Sequence, residues 1–339
     1  MWSLPPRPPR CNSGRPAPFQ TTPLTHTATL INDHPVPGPV APPSTTETVP
    51  PRPDAHTIRL GHSPDPDDAF MHYAVSKGKV ETRGHRFVEL HQDIETLNRW
   101  AEDGLLEATA VSIHAYAHLH DRYQLLAHGA SMGEGYGPMV VAREPLARRD
   151  LADRTIAVPG LRTSAFLELR LAIGDFDHVV VPFDEIPDQV ANGTVDAGLL
   201  IHEGQLTYAA QGLQNVFDLY EWWAAETDGL PLPLGGNAIR RDLGTETIHA
   251  VSRVLRDSIL WALDERNRDE ALRYALGFGR GLDVRTADEF VAMYVNPRTI
   301  DYGDDGRRAV QLLLDRAAEA GYLPHAVQVD WVDDGWAPS

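Results

Sequence analysis

The residues best suited to chemistry stand where apolar runs end. The segment Asp196–Ile201 reads as a buried strand, and His202 is the first ionisable group beyond it. A partly desolvated imidazole at the carboxyl edge of a sheet can act as a general base. The bland alternative is a structural histidine whose ring bonds a backbone carbonyl. Glu203 either orients that imidazole or lies in an exposed loop. A second cluster is Ser63-Pro64-Asp65-Pro66-Asp67-Asp68, between a strand and a helix. Free N–H groups at such a turn favour an anion, yet three carboxylates argue against phosphate and for a ligand that offers hydroxyls. Capping by Asp67 or Asp68 accounts for one of the three. Adjacent acids on one loop seldom enclose an ion alone, so no metal is expected there. A third is Pro159-Gly160-Leu161-Arg162-Thr163-Ser164, a turn into a helix whose first residues carry hydroxyls. Its N–H groups, Thr163, Ser164 and Arg162 suit a substrate carboxylate, and an N-cap role is compatible with that. No Gly-x-Gly-x-x-Gly or Walker pattern supports a nucleotide.

Other signals are weaker. Gly133-Glu134-Gly135-Tyr136-Gly137-Pro138 reads as a hinge or a close backbone approach to a ligand, with Tyr136 at its centre. Glu221-Trp222-Trp223 offers an aromatic wall for a flat substrate or, as favoured for a Trp pair, core packing. His114, His118 and His120 follow Ser112 at helical spacing. A pair four residues apart can bind a metal, but an exposed helix face is expected.

The elements that position these residues alternate short apolar runs with amphipathic stretches, the α/β pattern. Thr57–Leu60 reads as a strand and a helix opens at about Asp68. Asp93 caps a helix that ends at Gly104, and Thr109–Ile113, Tyr136–Ala142, Thr155–Val158 and Val179–Val181 read as strands. The helices are expected over Thr163–Leu171 and Asp184–Asn192, and the chain after Gly236 reads as mostly helical. One internal echo stands out: Gly104 to Ser112 and Gly193 to His202 each run from a helix-ending glycine through an acidic residue and a buried strand to a polar side chain. Ligands of open parallel sheets bind beyond the carboxyl ends of the strands. If the two units lie in separate lobes, Ser112 and His202 face each other across a cleft. That is a two-lobed α/β arrangement of the periplasmic-binding-protein-like type II class. The expected division is 56–142 with 238–339 as one lobe and 143–237 as the other.

Length agrees, since 339 residues suit two lobes better than one domain. Hydrophobic residues at 42% and charged ones at 23% are the balance of a chain that buries a core. Against 48 Asp and Glu stand 30 Lys and Arg, a net charge of −18, which repels nucleic acid and anionic lipid. The one cysteine, Cys11, excludes an internal disulfide and a Cys-based metal cluster. No run approaches the roughly 18 apolar residues of a membrane span, and the proline-rich start lacks a secretory signal, so a cytoplasmic location is expected. Residues 1–55 hold 15 of the 27 prolines and read as a disordered tail. A monomer and a homodimer both stay open.

Several segments taken in order resemble a known family: Ser63-Pro64-x-Pro66-x-Asp68, Thr96-Leu97-Asn98-Arg99-Trp100, Tyr136-Gly137-Pro138, Val158-Pro159-Gly160, Ile201-His202-Glu203, the run 217–223 and Gly229-Leu230-Pro231-Leu232-Pro233-Leu234-Gly235. Together, over about residues 57–325, they resemble the 1,4-dihydroxy-6-naphthoate synthases of the futalosine route to menaquinone. The resemblance implies a cytoplasmic lyase without metal or redox cofactor. Its substrate would be cyclic dehypoxanthinyl futalosine, which carries a carboxylate and sugar-derived hydroxyls, and its product 1,4-dihydroxy-6-naphthoate, released with a three-carbon hydroxyketone. His202 matches the proposed base, Thr163 and Ser164 the hydroxyl-bearing loop, and Ser112 a cleft-facing serine. The alternatives are a solute-binding protein of the same fold and the related chorismate dehydratase. Two departures matter. The family loop usually reads Ser-Pro-Cys-Pro-Asn-Asp, so Asp65 and Asp67 add negative charge that weakens binding of a carboxylate unless they point away or meet donors. Asn237 stands where an apolar residue is expected.

Overall fold

The computed structural model describes residues 49–202, 204–278 and 284–336. The strands are β1 (Thr57–His62), β2 (Arg86–His91), β3 (Ala108–Ser112), β4 (Tyr123–Leu125), β5 (Ser131–Gly133), β6 (Met139–Ala142), β7 (Ile156–Val158), β8 (His178–Val180), β9 (Ala197–Leu200), β10 (Gln214–Asp218) and β11 (Leu232–Arg240). They form two sheets. The first runs β2-β1-β3-β11-β4, with β5 also on β11; the second runs β10-β6-β9-β7-β8. In each, a parallel core (β2-β1-β3; β9-β7-β8) is flanked by an antiparallel strand, β11 or β6.

The chain therefore changes sheets twice, between β5 and β6 and between β10 and β11. Both points differ from the expected division: β6 lies before 143 yet pairs in the second sheet, and most of β11 lies before 238 yet pairs in the first. The first change falls at residues 133–138, the segment that reads as a hinge, so the boundary precedes β6 rather than following it. The tail is also shorter at its body end than expected. Pro50 accepts a hydrogen bond from Arg59 Nη1 at 2.9 Å, and Arg52 donates to Thr57 O at 2.9 Å, so residues 49–55 are bound to the body. The remainder of the expected tail lies outside the described residues.

Helix α1 (Pro66–Ser76) follows β1 and α2 (Ile94–Glu102) precedes β3. Asp93 caps α2, accepting from Thr96 N at 3.0 Å, as the sequence indicates. The first lobe is tight here: a Cβ on Gly61 would lie 2.5 Å from Leu106 Cδ1 and 2.8 Å from Leu97 Cδ2, so only glycine lets α2 close on β1. Helix α3 (Ile113–Leu119) follows β3, and α4 (Ser164–Ile173) follows β7. The C-terminal helix Gly303–Glu319 packs on α3, α4 and β11. One apolar cluster accordingly runs from Val111 and Leu232 through Leu167 to Leu313, and the two sheets share a core behind the cleft. Among the described residues, no helix is long and apolar enough to cross a membrane.

Candidate functional site

The carboxyl ends of β1, β3 and β9, the turn after β7 and the middle of β11 surround one cleft of about 780 Å³, its open mouth included, a size that suits a small ligand. Ser63, Asp67, Ser112, Thr163, Ser164 and His202 all line it. The two echo units thus deliver Ser112 and His202 to one space from separate sheets.

His202 stands two residues beyond β9 with φ at +54°, a left-handed backbone region that non-glycine residues seldom take, histidine more often than most. Three contacts hold it there. Its ring meets the edge of Phe183, with centroids 4.9 Å apart. Its N–H donates to the Gln205 side-chain oxygen at 3.3 Å when that amide is turned to satisfy Gly137 O and Tyr294 Oη as well. Its Nδ1 lies 3.2 Å from Asp65 Oδ2. Asp65 is the N-cap position of α1, but its side chain makes no capping bond. It does not line the cleft, so the expectation that it receives ligand hydroxyls is corrected. It stands behind the imidazole, in the orienting place that Glu203 was considered for; Glu203 itself lies outside the described residues.

The other two loop aspartates also divide. Asp68 accepts from Ser63 N and Ser63 Oγ, both at 2.8 Å, and closes the loop on itself. Asp67 faces the cleft, and its Oδ1 has no partner among the described residues. Burial, then the neighbouring Asp68 and Asp65 carboxylates, push the Asp67 carboxyl well above the ordinary carboxylate range. That shift favours the protonated form and so lessens the charge penalty expected of it. Neither Asp67 nor Asp68 is the N-cap, since Pro66 pre-sets the first turn and moves the cap back to Asp65.

Ser112 is held by Asn98, whose Nδ2 donates to Ser112 Oγ at 3.1 Å and whose Oδ1 accepts from Ser112 N at 3.0 Å. The Ser112 hydroxyl proton stays available to a ligand. Thr163 caps α4: its Oγ1 accepts from Phe166 N at 3.3 Å and donates to Gly160 O at 2.9 Å. Ser164 Oγ donates to Leu234 O at 2.5 Å, a bond between the lobes. Arg162 turns away to Glu102, with Nε 2.5 Å from Oε1, and no Lys or Arg lines the cleft among the described residues. The anion-favouring groups there are neutral: the α4 N-terminus and Asn237. Asn237 is buried, lines the cleft, and has no partner for Nδ2 among the described residues.

Two expectations do not hold, for Tyr136 and for His114, and the favoured reading of the Trp pair does. Tyr136 is half-buried away from the cleft, donates to Met132 O at 3.0 Å and stacks at 5.1 Å on Tyr294. Its glycine-flanked turn folds back on β5. Trp223 is fully buried and donates to Pro231 O at 2.9 Å, so the Trp pair is core. His114 lies buried between α3 and α4 rather than on an exposed face, its Nδ1 3.3 Å from Thr163 O. Sequence reasoning missed Gln205 and Tyr294, whose roles depend on contacts across the chain; a polar residue three after His202 was the only local hint of Gln205.

Comparison with known proteins agrees with this geometry. A family model for menaquinone biosynthesis matches residues 58–319. A 1,4-dihydroxy-6-naphthoate synthase of Thermus thermophilus is 43% identical over 78% of this chain and 95% of its own. One of Streptomyces coelicolor is 38% identical over 80% and 96%. A crystal structure from Archaeoglobus fulgidus superposes with a TM-score of 0.75 at 48% identity, over 79% of this chain and 98% of that one. An alkanesulfonate-binding protein of Xanthomonas axonopodis superposes at 0.58 with 16% identity, over 81% and 96%, which shows a shared periplasmic-binding-protein-like fold. The chain belongs to the menaquinone biosynthesis family, alongside the 1,4-dihydroxy-6-naphthoate synthases, and is an enzyme of that pathway.

Proposed function

We propose that the protein is a carbon–carbon lyase that converts cyclic dehypoxanthinyl futalosine to 1,4-dihydroxy-6-naphthoate, with His202 as general base. The observation that carries this reading is an imidazole at a strand end, backed by a buried carboxylate and opening on a cleft between two lobes. Asp65 accepts the Nδ1 proton and leaves Nε2 bare toward the cleft. Nε2 takes the proton of a sugar-derived hydroxyl. The O–H electron pair forms a carbonyl as the adjacent carbon–carbon bond breaks, and the three-carbon hydroxyketone departs. The electron pair of the broken bond passes into the ring system, and aromatisation draws the reaction forward.

The remaining cleft residues suit such a substrate. Met71, Ile94, Val111 and Leu234 give apolar walls for a flat ring. The α4 N-terminus and Asn237 suit its carboxylate without a cation. Ser112 is a donor, as is Asp67 in the protonated form that its burial favours, and Ser63 completes the polar rim. The bonds between lobes, Ser164 to Leu234 among them, keep water out and hold base and bond in line.

The test is incubation of the purified chain with cyclic dehypoxanthinyl futalosine, followed by chromatography for the dihydroxynaphthoate. Product from wild type and none from His202→Ala is the expected result. Undiminished product from the variant removes His202 from its role. No product from folded wild type removes the substrate assignment.

A further inference from the structure

Beside the cleft, but outside it, four side chains from three elements converge. His62 ends β1, and its partner in the parallel register is His91, the last residue of β2. Glu89 lies two residues earlier on β2 and so on the same face as His91. His72 comes from α1. The His62 and His91 ring centroids are 4.4 Å apart, and those of His62 and His72 4.9 Å. Glu89 Oε2 lies 4.0 Å from His62 Nε2 and 3.7 Å from His91 Nε2, beyond hydrogen-bond reach. One donor atom each from His62, Glu89 and His91 falls within 4.8 Å of the others.

Buried nitrogens without hydrogen bonds need an explanation. His62 is 1% exposed, and among the described residues its Nε2 has no hydrogen-bond partner; the same holds for His91 Nε2 and for both nitrogens of His72. The tautomer of His62 is set, because Nδ1 lies 2.9 Å from Ser63 O. The proton sits on Nδ1, and Nε2 turns its lone pair toward Glu89 and His91. A backbone carbonyl that fixes the tautomer in this way is the usual support of a metal-bound histidine. Glu89 is steadied in turn by Ser76 Oγ, 2.5 Å away. An ion pair of Glu89 with a protonated His62 or His91 leaves both nitrogens of His72 without a partner among the described residues.

We propose that His62, Glu89 and His91 form a site for a divalent transition ion of the zinc class. Two imidazoles and one carboxylate are a known three-ligand zinc set, with a fourth position left for water or for His72. Magnesium and calcium prefer all-oxygen shells and are disfavoured. Zinc bonds of about 2.0–2.2 Å place neighbouring ligand atoms roughly 3.3 Å apart. Rotation of His91 and Glu89, the two less buried side chains, closes the gap from 3.7 and 4.0 Å. A surface pocket lined by Ser76, Arg86 and Glu89 supplies the way in. None of the three ligands lines the cleft, so the ion takes no part in the reaction. It would tie the carboxyl ends of β1 and β2 together, one residue before the Ser63–Asp68 loop.

The test uses the full chain stripped of metal by chelator, titrated with zinc by calorimetry and with cobalt(II) by visible absorption. One equivalent bound, with the intense bands of low-coordinate cobalt, is expected. His91→Ala and Glu89→Gln should each weaken zinc by more than the roughly 10–100-fold that outer-shell changes cost, while the circular dichroism of the metal-free variants matches wild type. His118→Ala should leave binding intact and so set aside the His114–His118 pair. Absence of stoichiometric binding overturns the site, as does binding that survives both His91→Ala and Glu89→Gln. If His91→Ala does not fold, Glu89→Gln decides alone.

Discussion

His202 Nδ1 and Asp65 Oδ2 meet at 3.2 Å although one residue follows β9 of the second sheet and the other follows β1 of the first. The imidazole proposed as base and the carboxylate behind it therefore belong to different lobes. The pair is complete only when the lobes lie together, so under the proposed function closure would both shield the substrate and finish the base.

This relationship makes a kinetic prediction. His202→Ala should lower kcat by roughly 10²–10⁴, the usual worth of a positioned general base. Asp65→Asn keeps the shape but offers Nδ1 no negative acceptor, and should lower kcat by at least about tenfold with KM little changed. The double variant should be no slower than His202→Ala alone, because an orienting residue has nothing left to orient. Additive losses in steady-state kinetics would mean that Asp65 acts on substrate by itself.

Asn237 carries a second. Its Nδ2 is buried in the cleft wall without a partner among the described residues, and a Cβ on Gly129 would lie 2.2 Å from it. Gly129, at φ +74°, thus makes room for the amide. Such a donor is costly to bury unless a ligand uses it. Asn237→Ala should raise KM about tenfold or more, as for loss of a hydrogen bond to a charged group, with a smaller change in kcat. An unchanged KM would exclude contact with substrate.

The part of this site visible in sequence is the part encoded locally. Asp93 and Thr163 announce their helices, since a cap needs only its own next turn. The matching runs to Ser112 and His202 announce two strand ends, since burial and polarity change at one residue. The Asp65–His202 contact is not announced by anything nearby, because it arises from packing one lobe on another. The sheet change at β11 was hidden for the same reason, since an apolar strand reads alike whichever sheet it joins, whereas the glycines and Pro138 ahead of β6 did mark the other. His114 misled because its flanks, Ala115, Tyr116, Ala117 and Leu119, are all buried. A helix apolar on every side belongs inside, and that pattern outweighs the spacing of its histidines.

Buried neutral histidines predict acid lability. Burial, then Arg256, lowers the His128 imidazole to about 3 from its ordinary 6.5, and burial, then His118, does the same for His114. Below pH 6.5 the unfolded chain takes up protons that the folded chain refuses. The stability from each group is complete above 6.5 and declines as pH falls toward 3, by up to about 1.4 kcal/mol per pH unit. His128→Gln can keep a bond to Ser252 Oγ, which lies 3.1 Å from Nε2, but cannot titrate. In urea unfolding at a series of pH values, the variant should show a slope shallower by about that amount. Parallel slopes would mean that His128 is charged in the fold.

Glu168 on α4 gives the opposite sign. It is fully buried, and neither carboxylate oxygen has a hydrogen-bond partner among the described residues. Burial alone pushes its carboxyl well above the ordinary 4.5, so the folded protein keeps a proton that the unfolded chain releases above that pH. Stability from this position is greatest in acid and falls as pH rises from 4.5 toward the folded value. Glu168→Met keeps a similar volume, removes the unpaired polar group and should stabilise the protein by about 1–3 kcal/mol. Its advantage over wild type should widen as pH rises from 4.5, which thermal unfolding at pH 5 and pH 7 can measure. Arg162 and the Thr163 cap hold the start of α4 independently of this side chain, so turnover should be unchanged. A destabilised variant would mean that the Glu168 carboxyl holds a partner of its own, such as a buried water.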